Sequence, residues 1–196
     1  MSVAAGVSPL TRFVLAVLAW LPVTFAVWYF AAPIVLSPAV LLAEAVARTG
    51  FGDLVRAVEQ NAAVVAFTTT LKPGAAVGGG VVTVEVNALL YSFGLPMFAA
   101  LTLAAREPRW LRALAIGYVA LIPAIAWGIV ADFLKNIGIS AAPQVVSQTG
   151  FSALQRELIV FAFQFGSLIL PAVAPAIAWV LTHRAFLERV RRTTSR

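Results

Sequence analysis

The chain contains no cysteine and a single histidine, His183. The first absence excludes disulfides, thiolate metal sites and a cysteine nucleophile. The second excludes a histidine-rich metal cluster and a Ser-His-Asp triad built on the outer side of the protein, where no other imidazole exists. Charge is also scarce. Charged residues make up only 11% of the 196 residues, against 61% hydrophobic, and the mean hydropathy is +0.94. A soluble domain is roughly a quarter charged, because its surface has to be wetted. This composition therefore predicts an integral membrane protein, with no cofactor and no metal.

The formal net charge is +6. In a soluble chain that excess would suggest nucleic acid. Here the arginines stand at the ends of apolar runs, where they read as topology signals and lipid-headgroup contacts, so no nucleic-acid partner is expected. Four apolar segments are long enough to approach or cross a bilayer core of roughly 30 Å at about 1.5 Å per helical residue. They cover residues 13–31, 88–105, 114–134 and 157–182. The first is longer than a signal-peptide core and is read as an uncleaved transmembrane helix, with Trp28 and Tyr29 as interfacial aromatics.

The predicted architecture is a mainly α membrane protein, one polytopic domain over residues 1–196. It has four transmembrane helices and a small extracytoplasmic β-hairpin at about 54–87, between the first and second spans. A short surface helix is expected over 39–48, with Glu44 and Arg48 spaced for an i,i+4 pair and Gly50 and Gly52 ending it. Residues 54–71 turn to Val, Phe and Thr and predict one strand, after a helical turn around Asp53–Gln60. Glycine-rich residues 74–80 read as a flexible connection. Residues 81–87 then alternate, with Val82, Val84 and Val86 on one face and Thr83, Glu85 and Asn87 on the other. A two-stranded hairpin is marginal alone, so it must lean on lipid, on its own helices or on a partner.

Basic residues orient the chain. Arg12, the turn containing Arg106, Arg109 and Arg112, and the tail from Arg184 to Arg196 fall on one side. Arg48, Arg56, Lys72, Lys135 and Arg156 are spread through the longer connections of the other. The positive-inside rule places both termini in the cytoplasm. The hairpin and residues 135–156 then face outward, in a bacterial inner membrane.

The stretch around which the chain is organised is 81–103, where an alternating strand passes without a break into an apolar span. Glu85, Asn87, Tyr91 and Ser92 gather at that junction. Glu85 and Asn87 share a strand face, and Tyr91 opens the helix as an aromatic anchor. Polar groups at membrane depth are functional candidates. Asp132, near the outer end of the third span, stands within one turn of Lys135 and reads either as an interfacial pair or as a functional group. Gln164 is either interhelical glue or, with Asp132, the lining of a transport path. Prolines 22, 96, 123, 171 and 175 predict kinks. No nucleophile and base share the junction, so binding is favoured over catalysis, and Glu85, Asn87, Tyr91 and Asp132 are the candidate partner-binding residues.

The segments TVEVNALLYSFGLPMFAALTLAAREPRWLR, LAWLPVTFAVWYFAAPIVL and VVAFTTTL together resemble the small membrane proteins associated with exosortase H. These are partners of an exosortase in bacterial C-terminal protein sorting. The junction also resembles the exosortase core, where an extended segment leads into a cysteine-containing motif at the membrane surface. Asn87 stands about where that cysteine would be, and the core's catalytic Arg and His have no counterpart. The resemblance implies a non-catalytic accessory subunit, no enzyme, with an exosortase and membrane lipid as partners. The alternative is a small transporter or channel subunit with Asp132 and Gln164 along its pathway.

Overall fold

The computed structural model describes residues 9–73, 80–184 and 186–188. The predicted connection over residues 74–79 lies outside them, as do Arg189, Arg191, Arg192 and Arg196 of the basic tail.

Helix α1 (Pro9–Val35) is a long apolar rod with few charges and most of its surface uncovered. It bends at Leu36 into α2 (Ser37–Phe51). The bend has a local cause. Pro38 has no N–H to give the Ile34 carbonyl one turn back, and the Ser37 hydroxyl donates to that carbonyl instead, at 2.8 Å. The Val35 carbonyl accepts from the Tyr118 hydroxyl at 2.8 Å. Helix α2 buries a stripe of Ala39, Val40, Ala43 and Ala47, and its outer face carries the expected pair, with Arg48 Nε 2.8 Å from Glu44 Oε1. Gly50 lies within this helix, which closes at Gly52.

Residues 54–71 form two strands where the sequence predicts one, and the predicted helical turn is confined to residues 52–54, with 55–60 already in the first strand. Strand β1 (Val55–Asn61) reverses at Ala62 and Ala63 into β2 (Val64–Thr69). Ala62 has φ +53°, in the left-handed region. A turn made by alanines instead of Gly, Asn or Pro carries no turn signal in the sequence. Strand β3 (Thr83–Asn87) follows, and the sheet is antiparallel in the order β1-β2-β3, so the predicted two-stranded hairpin is a three-stranded sheet.

The sheet leans on the protein's own helices. Val65, Phe67 and Thr69 of β2 and Val86 of β3 are fully buried, and the Phe67 ring stacks on Phe133 with centroids 4.4 Å apart.

Beyond β3 the apolar run from Leu89 to Ala104 is divided by Phe93 into α3 (Leu89–Ser92) and α4 (Gly94–Ala104). It is shorter than the three helices with the length and composition of a membrane span, Leu10–Val35, Trp110–Ser140 and Ala153–Thr182. Pro96 sits in the first turn of α4, where a missing N–H disturbs least. Helix α5 (Trp110–Lys135) continues into a π-helical turn, Asn136–Ser140. The predicted polar connection holds that turn and a short helix α6 (Pro143–Gln148).

The last long helix starts earlier than expected, at a capping box of Ser152 and Gln155. It runs as α7 (Ala153–Gln164), a π-helical segment Phe165–Ile169, and α8 (Leu170–Thr182). Pro171 leaves the Ser167 carbonyl without its usual donor, and the widened turn falls at that point.

Two ends of the bundle are distinct. At one, Phe13 of α1 meets Trp179 of α8 at 5.7 Å and Phe186 at 5.0 Å, beside the α4–α5 turn. At the other, the sheet, α6 and the start of α7 come together. Phe51 meets Phe151 edge-on, and the Gln148 amide clasps the backbone of Lys72 by two hydrogen bonds of 2.9 and 3.0 Å.

Candidate functional site

Strand β3 alternates as its sequence predicts. Val86 is fully buried and Val84 half-buried, while Thr83, Glu85 and Asn87 are exposed. Hydrogen bonding alternates with the same period. Val82 and Ala88 bond the β2 side, through Thr69 N–H to Val82 O (2.9 Å) and Ala88 N–H to Ala63 O (2.9 Å). The main-chain groups of Val84 and Val86 follow them, and those of Thr83, Glu85 and Asn87 point away from β2. The outer edge of β3 thus offers main-chain donors and acceptors on the residues whose side chains are exposed.

The sheet's other edge is different. Strand β1 is broken by a bulge at Arg56 between Val55 and Ala57 and packs beside α2. A bulge blunts a strand against pairing. Strand β3 is regular over all five of its residues.

The strand is held at a fixed angle to the helix that follows. Asn87 Oδ1 accepts from Leu89 N–H at 3.1 Å, starting α3 from the strand's last residue. Its amide is therefore a helix-starting group, whichever second role it has. Tyr91 and Ser92, one turn on, are buried. Ser92 Oγ accepts from Trp28 Nε1–H at 3.2 Å, tying α3 to α1. The Tyr91 ring lies flat on α5 at Gly128, where a Cβ would overlap the ring, and its hydroxyl is directed at the Asp132 carboxylate.

Asp132 is 8% exposed. Lys135 Nζ lies 3.0 Å from its Oδ1, and Asn136 Nδ2 donates to the same oxygen at 3.0 Å and to the Asp132 carbonyl at 2.9 Å. The Lys135 ammonium also sits 4.3 Å over the Phe163 ring of α7. The carboxylate is thus engaged by groups of its own helix and its continuation, and Lys135 carries the cluster on to α7 through Phe163. Of the four predicted site residues, then, Glu85 and Asn87 lie on the open edge, and Tyr91 and Asp132 meet beneath it. Gln164 is exposed at the end of α7. The sequence set Lys135 beside Asp132 but did not mark Asn136 and Phe163 as members of this group; the i,i+4 spacing of Asn136 from Asp132 was the available signal.

Among the described residues no strand pairs with the outer edge of β3, which lies beside the polar cluster of Asp132, Lys135 and Asn136. Residues 7–186 match the family model of the exosortase H-associated membrane protein, and the chain belongs to that family. The likeness of the junction to the exosortase core is not shown by that match. No curated protein and no solved structure matches the chain.

Proposed function

We propose that this protein is a non-catalytic accessory subunit of an exosortase-type protein-sorting system. In this reading an extended segment of the exosortase, or of its sorting-signal substrate, pairs with β3. The free edge of β3 carries the proposal. Main-chain pairing supplies affinity, and the exposed side chains of Thr83, Glu85 and Asn87 select among partners. The cluster of Tyr91, Asp132 and Lys135 keeps that edge in position on the bundle.

The protein resides in the bacterial inner membrane and crosses it four times, with α3 and α4 together forming the second crossing. At about 1.5 Å per residue, Leu89–Ala104 extends roughly 24 Å, short of the core. A stretch of that length crosses by local thinning of the bilayer or with help from its flanking residues. Its path favours a crossing, because it starts at the sheet and ends at the turn beside the first residues of α1. The sheet is then extracytoplasmic and both termini are cytoplasmic.

A proline at Glu85 tests the edge. It removes an outward N–H and leaves the β2–β3 ladder intact. Glu85→Pro is expected to reduce co-purification of co-expressed exosortase H about tenfold or more, in keeping with the loss of roughly 1.4 kcal/mol or more of pairing. Yield and thermal stability should be unchanged. Undiminished co-purification would remove the strand edge from the interface.

A further inference from the structure

At the opposite end of the bundle lies a cleft of about 640 Å3 that the proposed docking role does not use. Two elements far apart in sequence supply its charge, Arg12 from the first turns of α1 and Arg106 from the α4–α5 turn. The remaining walls are apolar, made by Phe13, Leu15, Ala16, Ala104, Ala105 and Phe186. We propose that this cleft is a binding site for one anionic diacyl phospholipid. Its phosphodiester lies between the two guanidinium groups and an acyl chain runs down the Phe13–Leu15–Ala16 face of α1.

Three observations carry the assignment. Two guanidinium groups and an apolar wall share one cleft, the combination an amphiphile requires, and guanidinium matches a phosphate oxygen pair in geometry as well as charge.

Arg106 also occupies a backbone position that suits glycine. Its φ is +50°, just past the end of α4, where a helix turning left-handed normally closes on Gly. A side chain there is conformationally costly, so the turn is better explained by the guanidinium than by the demands of the chain.

Behind the aromatic wall of the cleft, lastly, lie two unused polar atoms. Phe13 and Phe186 both pack on Trp179, which stacks on His183 at 5.3 Å. Trp179 Nε1 and His183 Nε2 are buried without a hydrogen-bond partner among the described residues. Groups in that state are normally satisfied by something bound. An ordered water between these rings and the cleft would do so. The neighbouring Glu107 does not line the cleft.

The competing reading is diffuse attraction of a basic turn to any anionic surface. The test titrates the detergent-solubilised full chain with phosphatidylglycerol and with phosphatidylcholine of the same acyl chains, and counts retained lipid by native mass spectrometry. Arg106→Gly is the informative variant, because glycine relieves the backbone while removing the charge. It should lower the preference for phosphatidylglycerol about fivefold without lowering the melting temperature, and Arg12→Gln with Arg106→Gly about thirtyfold. Arg109→Gln with Arg112→Gln, on the same turn but outside the cleft, should leave the preference intact. Equal loss in that pair, or unchanged retention in the Arg106→Gly protein, overturns the proposal. Complete displacement by millimolar inorganic phosphate would also overturn it, because the site would then take a free anion.

Discussion

At Asp132 a carboxylate that is nearly buried faces a lysine, an asparagine and a tyrosine. Removing its charge while leaving its shape isolates what the ion pair does. Asp132→Asn leaves the Lys135 ammonium without its counter-ion, at a cost of roughly 1–3 kcal/mol. The melting temperature in detergent should fall, and Lys135→Met in the same chain should recover most of the loss. An Asp132→Asn protein that melts with the wild type would show the carboxylate to be free for another purpose. His183, just past α8, gives a second prediction at this scale. Burial holds its imidazole below the ordinary histidine range, against smaller upward effects from the Trp179 carbonyl and Glu107. The folded state therefore favours the neutral ring, and the unfolded chain binds its proton first as pH falls through about 6.5. Stability from this group is full above that pH and is lost below it. Thermal melts from pH 7.5 to 5.5 should show a decline that His183→Gln reduces, and an identical decline in the variant would assign the acid sensitivity elsewhere.

The element that decides where the docking edge sits is β2, whose Phe67 inserts between the sheet and Phe133 of α5. Truncating it with Phe67→Ala should cost about 3–5 kcal/mol. Because the helices keep their own contacts, the expected signature is local: faster proteolysis within residues 55–87 while the helical ellipticity is retained. A global loss of helix would instead make the sheet part of the bundle's core. How much of these elements was legible in advance depended on whether the signal was local. The alternation of β3 and the apolar length of the long helices are properties of consecutive residues, and they were readable. The reversal at Ala62 was not, because two alanines are held there by the pairing of β1 with β2 and not by turn chemistry. The π-helical segment before Pro171 and the break at Phe93 reflect how neighbouring helices accommodate a proline or a short rod. At the site, Glu85 and Asn87 could be placed on one face from the period alone. That Tyr91 meets Asp132 could not, because it requires α3 to lie on α5 at Gly128.

For the whole molecule the open question is how many times the chain passes from one side of the membrane to the other, and the lack of cysteine makes it directly measurable. Every introduced cysteine is a sole reporter. If Leu89–Ala104 crosses, the sheet and the α4–α5 turn lie on opposite sides. Glu85→Cys should then react with a membrane-impermeant maleimide in intact spheroplasts, and Arg109→Cys should react only after the membrane is opened. Both positions are exposed, so burial cannot mimic sidedness. If the shorter helix merely dips into the bilayer and returns, the two cysteines label from the same side. The bundle's construction argues for the first outcome. The start of α1 and the end of α8 stack against one another through Phe13 and Trp179 next to the α4–α5 turn, while Phe67 and Phe133 hold the sheet at the far end of α5. A helix pair joining those two ends runs beside the three helices that are long and apolar enough to cross a membrane, and a crossing by them would carry it across as well.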